Sequence, residues 1–369
     1  MTEPSRILLV RLSSLGDILH ALPALRSLRS AFPEARIDWL VEQRMKFLLR
    51  AVPGIDEIHA VDTRAWRKRP WSIQAAVDFW GLVRRLRARR YDLALDFQGL
   101  LKTGLLSYLS GAKCRLGFSR ELVRERPAHW FYTRTLDRPH AGAHVVRLNL
   151  ALAQAAGGHE VSLLSPLQTA EEDLCAIEIL LGKEQLSSYV IINPGGGWAT
   201  KRWSAASYGQ LAGRIQRELD LAVAVTTGPD EEHLYHEIRK HSGNPAPRHF
   251  PVSFRQLIPL CLKASLFIGG DTGPFHLACA LGTPVVGIFG PTSPERNGPI
   301  SGNDESVVHL LHCSFCYGRA CPTQNECMDI SVDEVFEAVT RRLARARAQK
   351  NVKDPPPVAA ILCGRPPRQ

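Results

Sequence analysis

Short, continuous apolar runs recur along the chain, separated by longer stretches with helical spacing. Residues 6–12, 37–41, 58–61 and 93–96 read as strands, and their unbroken apolar character predicts burial on both faces. Between them, residues 17–31, 73–89 and 100–110 carry apolar positions at helical intervals. A helical region at 145–156 gives way to a looser passage, 157–166. A second series follows: strand 189–193, helix 204–219, strand 221–226 and helices 231–241 and 255–263. Two further strands, 264–268 and 285–289, flank a helix beginning near His276. Such alternation predicts α/β architecture, with parallel sheets covered by helices. Two doubly wound, Rossmann-like domains are expected, residues 1–165 and 166–346, facing each other across a cleft. Ligands are expected there, outside the carboxyl ends of the strands. An arginine-rich helix over 332–346 precedes a proline-bearing tail, 347–369, expected to be disordered.

A length of 369 residues suits two domains, and 45% hydrophobic with 22% charged residues is ordinary for a globular protein. The net charge of +10 points to an anionic partner without choosing among nucleic acid, a phosphorylated substrate and a membrane face. No apolar run is long enough to span a bilayer, and the first residues lack a signal-peptide pattern, so a cytoplasmic location is expected. The nine cysteines are then expected to stay reduced.

Six segments carry candidate chemistry. The first strand runs into Ser13-Ser-Leu-Gly-Asp17-Ile-Leu-His20. Asp17 there suits either a general base or a helix cap, and position alone favours the cap. Gly195-Gly196-Gly197 after the strand at 189–193 exposes backbone donors, and Lys201 adds a point charge, an arrangement suited to a diphosphate. Asp230, closing the next strand, is placed to accept hydrogen bonds from a ribose. Gly269-Gly-Asp271-Thr272-Gly273-Pro-Phe-His276 joins strand to helix through a glycine turn, and such a helix start binds phosphate. The basic and aromatic stretch Arg64-Ala-Trp-Arg67-Lys68-Arg-Pro-Trp71 suits a phosphorylated acceptor, an anionic bilayer or single-stranded nucleic acid, and a solvated loop has the same composition. Cys313-x-x-Cys316, Cys321 and Cys327 form a cluster open to three readings, a structural metal site, unliganded thiols or an adventitious disulfide.

The pairing of Val10-Arg-Leu-Ser-Ser-Leu-Gly-Asp-Ile-Leu-His-Ala-Leu-Pro23 with Gly270-Asp-Thr-Gly-Pro-Phe-His276 and Gly290-Pro-Thr resembles the lipopolysaccharide heptosyltransferases of glycosyltransferase family 9, in particular their heptosyltransferase I branch. The resemblance spans residues 6–342. It implies the GT-B fold and an inverting transfer of heptose from ADP-heptose to the Kdo-bearing inner core of lipid A. Asp17 is then the base. Gly196, Gly197, Lys201, Asp230, Asp271, Thr272, Gly273 and His276 are donor-side residues, and Arg67, Lys68, Lys102, Arg124 and His144 acceptor-side ones. The implied enzyme needs no cofactor or metal, acts as a monomer, binds no nucleic acid and touches the cytoplasmic face of the inner membrane. Glycines replace the threonines of the heptosyltransferase I donor loop, and the cysteine cluster is foreign to that pattern. Two alternatives are a GT-B enzyme with another donor or acceptor, such as heptosyltransferase II or a capsule enzyme, and, remotely, a zinc-bearing nucleic-acid-binding module.

Overall fold

The computed structural model describes residues 3–68, 71–137, 143–165 and 167–352. The chain forms two units, Met1–Gln168 and Thr169–Gln369. The first is built on β1 (Arg6–Val10), β2 (Arg36–Glu42), β3 (Glu57–Val61), β4 (Leu93–Asp96), β5 (Cys114–Phe118) and β6 (Arg134–Leu136). Its sheet has the order β3-β2-β1-β4-β5-β6, with every neighbouring pair parallel. The second unit uses β7 (Tyr189–Asn193), β8 (Ala222–Val225), β9 (Arg248–His249), β10 (Leu266–Gly270), β11 (Val285–Phe289) and β12 (Glu305–Val308). Its order is β12-β11-β10-β7-β8-β9, again all parallel. Counting these strands from one reproduces the order of the first sheet. Both are doubly wound sheets, and chain order reverses between β1 and β4 and between β7 and β10.

The apolar runs account for the central strands. Ile7, Leu8, Leu9 and Val10 are fully buried, as are Val190, Ile191 and Ile192 of β7 and Leu266, Phe267 and Ile268 of β10. Each such side chain contributes about 1.5–3 kcal/mol on leaving water. Helices cover both faces, so nothing along these strands needs to alternate. Buried polar groups in the first sheet are matched. Asp38 of β2 accepts from Tyr91 (2.8 Å) and from Arg36 (3.1 Å), and Trp39 Nε1 donates to the Arg11 carbonyl (3.1 Å).

Several elements depart from the sequence expectation. The helix expected at 17–31 is two, Leu15–Leu19 and Leu22–Ala31, the second beginning with Pro23 in its first turn, where proline costs no hydrogen bond. Part of the basic-aromatic stretch forms a helix, Thr63–Lys68. A helix at Glu171–Lys183 has three acidic residues in its first turn, where they favour the positive end of the helix dipole. The final helix, Val332–Val352, continues six residues past 346. The remainder of the expected tail, 353–369, lies outside the described residues. No helix among the described residues is long and apolar enough to cross a membrane.

Candidate active site

Each unit gathers polar side chains beside the two strands where its order reverses. In the first, the chain leaves β1 at Arg11, turns through Ser13-Ser14 and enters the Leu15–Leu19 helix. Ser14 is the N-cap and Asp17 the third helical residue, which places the carboxylate back over the cap. Asp17 Oδ2 accepts from the Ser14 amide (2.9 Å) and hydroxyl (3.1 Å). Its Oδ1 lies 2.6 Å from Arg11 Nη2 and 3.1 Å from Arg124 Nη2. Capping and charge pairing therefore share one carboxylate, an oxygen for each.

Arg11 is buried, and its Nη1 donates to the carbonyl of Phe97, just past β4. Gln98 Oε1 accepts from the Leu12 amide at 2.7 Å, a second tie between the ends of β1 and β4. Burial alone pushes the Asp17 carboxyl up, but Arg11 and Arg124 together outweigh it and hold the group well below the usual aspartate range. The partly buried carboxylate is thus kept charged by two cations, the buried Arg11 and the exposed Arg124.

His20 and His144 meet edge to face, with ring centroids 6.0 Å apart. His144 is the N-cap of the Val145–Ala155 helix, where its Nδ1 accepts from the Val146 amide at 3.2 Å. Lys102 belongs to a different group: its ammonium reaches Thr63 Oγ1 (3.1 Å) and Glu42 (3.7 Å). Arg67 and Lys68 are exposed at the end of the Thr63–Lys68 helix. Of the five acceptor-side residues, Arg124 touches Asp17 directly.

In the second unit, β7 ends at Asn193 and leads into the glycine loop, while β10 ends at Gly270 beside Asp271. Lys201 Nζ lies 2.6 Å from Asp271 Oδ2, and His276 Nε2 lies 2.7 Å from Oδ1. Desolvation raises the Asp271 carboxyl, but His276 and Lys201 reverse this and hold it below its usual range. Asp271 thus anchors two basic groups. Lys201 also stands 4.3 Å above the Trp198 ring, a cation–π contact.

Thr272 is the N-cap of the Gly273–Leu281 helix, yet its side chain makes no capping bond, and Thr272 Oγ1 is buried with no hydrogen-bond partner. The helix start therefore presents an unsatisfied hydroxyl together with its positive dipole, a combination that accepts an anion. Gly270 permits a close approach of chains, since a Cβ there would lie 3.0 Å from the Lys201 carbonyl.

The acid after β8 that engages the glycine loop is Glu231. Its Oε2 accepts from the Gly228 amide (2.9 Å), its Oε1 accepts from the Gly196 amide (3.3 Å), and Arg202 pairs with it at 3.5 Å. Asp230 is exposed, at a positive φ of 64°. Arg11 is the other contributor that sequence reading passed over. Its signal was a cation at the end of an otherwise apolar strand run.

Among the described residues, Asp38, Glu57 and His59 lie close enough together to suggest a metal centre. Arg36 and Arg89 both pair with Glu57, and Arg36 also pairs with Asp38, so these carboxylates already face cations. We read this group as part of the sheet's packing.

The family model for glycosyltransferase family 9 (heptosyltransferase) matches residues 79–326. Lipopolysaccharide heptosyltransferase 1 of Pseudomonas aeruginosa is 31% identical over 86% of this chain and 88% of its own length. The lipopolysaccharide core heptosyltransferase OpsX of Haemophilus influenzae is 24% identical over 82% of this chain and 84% of its own. Among solved structures, the Escherichia coli heptosyltransferase WaaC with ADP has a TM-score of 0.72 at 23% identity, covering 91% of this chain and 99% of that one. The E. coli ADP-heptose lipopolysaccharide heptosyltransferase II has a TM-score of 0.69 at 21% identity, covering 93% and 99%. These structural likenesses give the fold as GT-B. The family match and the P. aeruginosa relative agree over most of the sequence, and the chain belongs to glycosyltransferase family 9, the heptosyltransferases.

Proposed function

We propose that the protein is an inverting heptosyltransferase that moves heptose from ADP-heptose to the Kdo region of lipid A, acting as a monomer. The observation that carries this reading is the Asp17 carboxylate, held ionised by Arg11 and Arg124 at the end of β1. Its Pseudomonas relative is named as a lipopolysaccharide heptosyltransferase 1, which favours Kdo over another acceptor.

In the proposed step, Asp17 takes the proton of an acceptor hydroxyl. That oxygen bonds to the anomeric carbon of the donor from the face opposite ADP, the anomeric C–O bond breaks, and ADP leaves with the electron pair. A strongly ion-paired carboxylate is a weak base, so proton transfer must occur late, once bond formation has acidified the hydroxyl. The charge developing on ADP is met in the second unit by Lys201, by the start of the Gly273–Leu281 helix and by amides of the glycine loop. Asp271 holds Lys201 and His276 in place, and Glu231 and Asp230 lie on the ribose side. Arg124, His144, Lys102, Arg67 and Lys68 serve the acidic acceptor.

We also infer a peripheral contact with the cytoplasmic face of the inner membrane. Trp71 is 96% exposed, and Ile73, Val77 and Trp80 project from the helix Ile73–Ala88. The exposed Arg84 and Arg85 lie further along the same helix, and Arg67 and Lys68 precede it. Aromatic and basic residues together suit an anionic lipid surface.

Asp17→Ala should lower kcat by on the order of 10²–10⁴-fold while leaving ADP affinity nearly intact by calorimetry; wild-type turnover would refute the base. Lys201→Ala should weaken ADP-heptose binding by roughly 10–100-fold, the worth of one charged hydrogen bond, and an unchanged affinity would remove Lys201 from the diphosphate site. The pH profile offers a separate check. Because the folded-state Asp17 carboxyl is lowered, kcat/KM should stay level through the ordinary aspartate range near ~4 and fall only as pH drops through the lower value. Arg124→Met removes one of the two cations, so that acid limb should move to higher pH; a limb that does not move would mean Arg124 does not tune the base. Trp71→Ala with Trp80→Ala should reduce sedimentation with vesicles containing phosphatidylglycerol, with little effect on ADP binding, and undiminished sedimentation would rule this face out.

A further inference from the structure

We propose that Cys313, Cys316, Cys321 and Cys327 together bind one zinc ion through four thiolates, in a finger that braces the loop carrying Lys201. The four lie between β12 and the final helix, a stretch whose regular structure is confined to the short turn Glu326–Met328. All are free thiols in the structure. Phe315 and Tyr317, on either side of Cys316, both adopt left-handed backbone, with φ of 65° and 55°. Non-glycine residues rarely do so, and two around one cysteine mark a tight, specified turn. That turn aims the Gly318 amide at Cys316 Sγ, 3.4 Å away.

The two ends of the segment are pinned to the same place. The Tyr317 amide donates to the Pro291 carbonyl at 2.8 Å. A Cβ on the adjacent Gly290 would lie only 2.9 Å from Cys327 Sγ. Cys316 and Cys327 are thereby brought to one turn, Gly290-Pro291, although eleven positions apart in sequence. Cys321 lies beside Thr323 (3.3 Å), whose hydroxyl donates to Glu326 at 2.5 Å, next to Cys327. Thiolates brought to one turn repel one another unless a cation sits among them.

No three of these sulfurs lie within 4.8 Å of one another, so the ion must draw them inward, as where metal binding and local folding are one step. Binding replaces four S–H bonds with four Zn–S bonds and releases the protons to solvent. An all-thiolate tetrahedral set suits zinc, with its soft, closed-shell character, better than calcium or magnesium.

The finger also touches the donor loop. Thr200 Oγ1 donates to the Gly318 carbonyl at 2.8 Å, and the Arg319 guanidinium lies 4.9 Å from the Trp198 ring that carries Lys201 on it. An ion in the finger would hold Gly318 and Arg319 fixed against residues 198–200, one residue from Lys201.

The full-length chain, purified under reducing conditions, should carry about one zinc per molecule by native mass spectrometry. After removal of the metal, titration with Co²⁺ should give the intense sulfur-to-cobalt absorption of a tetrahedral thiolate site, reaching its end point at about one equivalent. Cys316→Ser and Cys321→Ser should each abolish that absorption, whereas Cys175→Ser, on the Glu171–Lys183 helix, should retain it. Absence of thiolate–cobalt bands in the reduced wild type, their survival in both finger variants, or recovery of these four cysteines as disulfides would overturn the assignment. The wild-type metal content tests the idea even if a variant fails to fold, and none of these readouts depends on sugar transfer.

Discussion

The contact between Arg11 and Asp17 organises the strand ends of the first unit. A guanidinium buried at the end of a central strand is costly unless its charge is answered, and Asp17 answers it at 2.6 Å. The same arginine donates to the Phe97 carbonyl, so one side chain ties the turn after β1 to the turn after β4. Those are the two strand ends between which chain order reverses, the position where open sheets of this type bind ligands. The carboxylate is therefore oriented by a group that cannot move without unmaking the sheet's end, and the Ser14 cap fixes its other oxygen. For the proposed base the cost falls on basicity, since two cations stabilise the ionised form.

The second unit applies the same topology to a different charge problem. Its reversal point also lies between its first and fourth strands, and the loops leaving those strands again carry the site. Here the buried anion, Asp271, sits at the centre, between Lys201 and His276. Lys201 and His276 each take one carboxylate oxygen, and the neighbouring Thr272 hydroxyl has no hydrogen-bond partner. One unit thus surrounds a carboxylate with arginines, while the other uses a carboxylate to hold basic groups.

Much of this was legible in the sequence, for a physical reason. Central strands of parallel sheets are covered on both faces, so β1, β2, β4, β7, β10 and β11 stand out as apolar runs. Three of the four edge strands do not. β9 is only Arg248–His249, β6 is Arg134–Leu136, and β12 begins with Glu305; each is partly exposed and carries polar residues that mask any period. β5, Cys114–Phe118, was hidden by an arginine and by Gly117, where a Cβ would collide with the Tyr132 ring. The motif turns were readable because glycine and aspartate at strand ends have few other uses. Arg11 was not, because its role depends on a partner six residues away and a carbonyl on another strand. That Glu231 bonds the glycine loop was also beyond the sequence: adjacent acids after a strand look alike until the backbone places them.

The glycine loop after β7 differs in what each position can hold. A Cβ at Gly195 would fall 2.2 Å from a Glu231 carboxylate oxygen, whereas one at Gly197 would meet nothing within 4 Å. The two positions are therefore unequal in what they tolerate. A side chain at 197 finds open space, but one at 195 would first have to displace the glutamate that ties together two loops. Bare peptide is thus obligatory at one end of the loop and optional at the other.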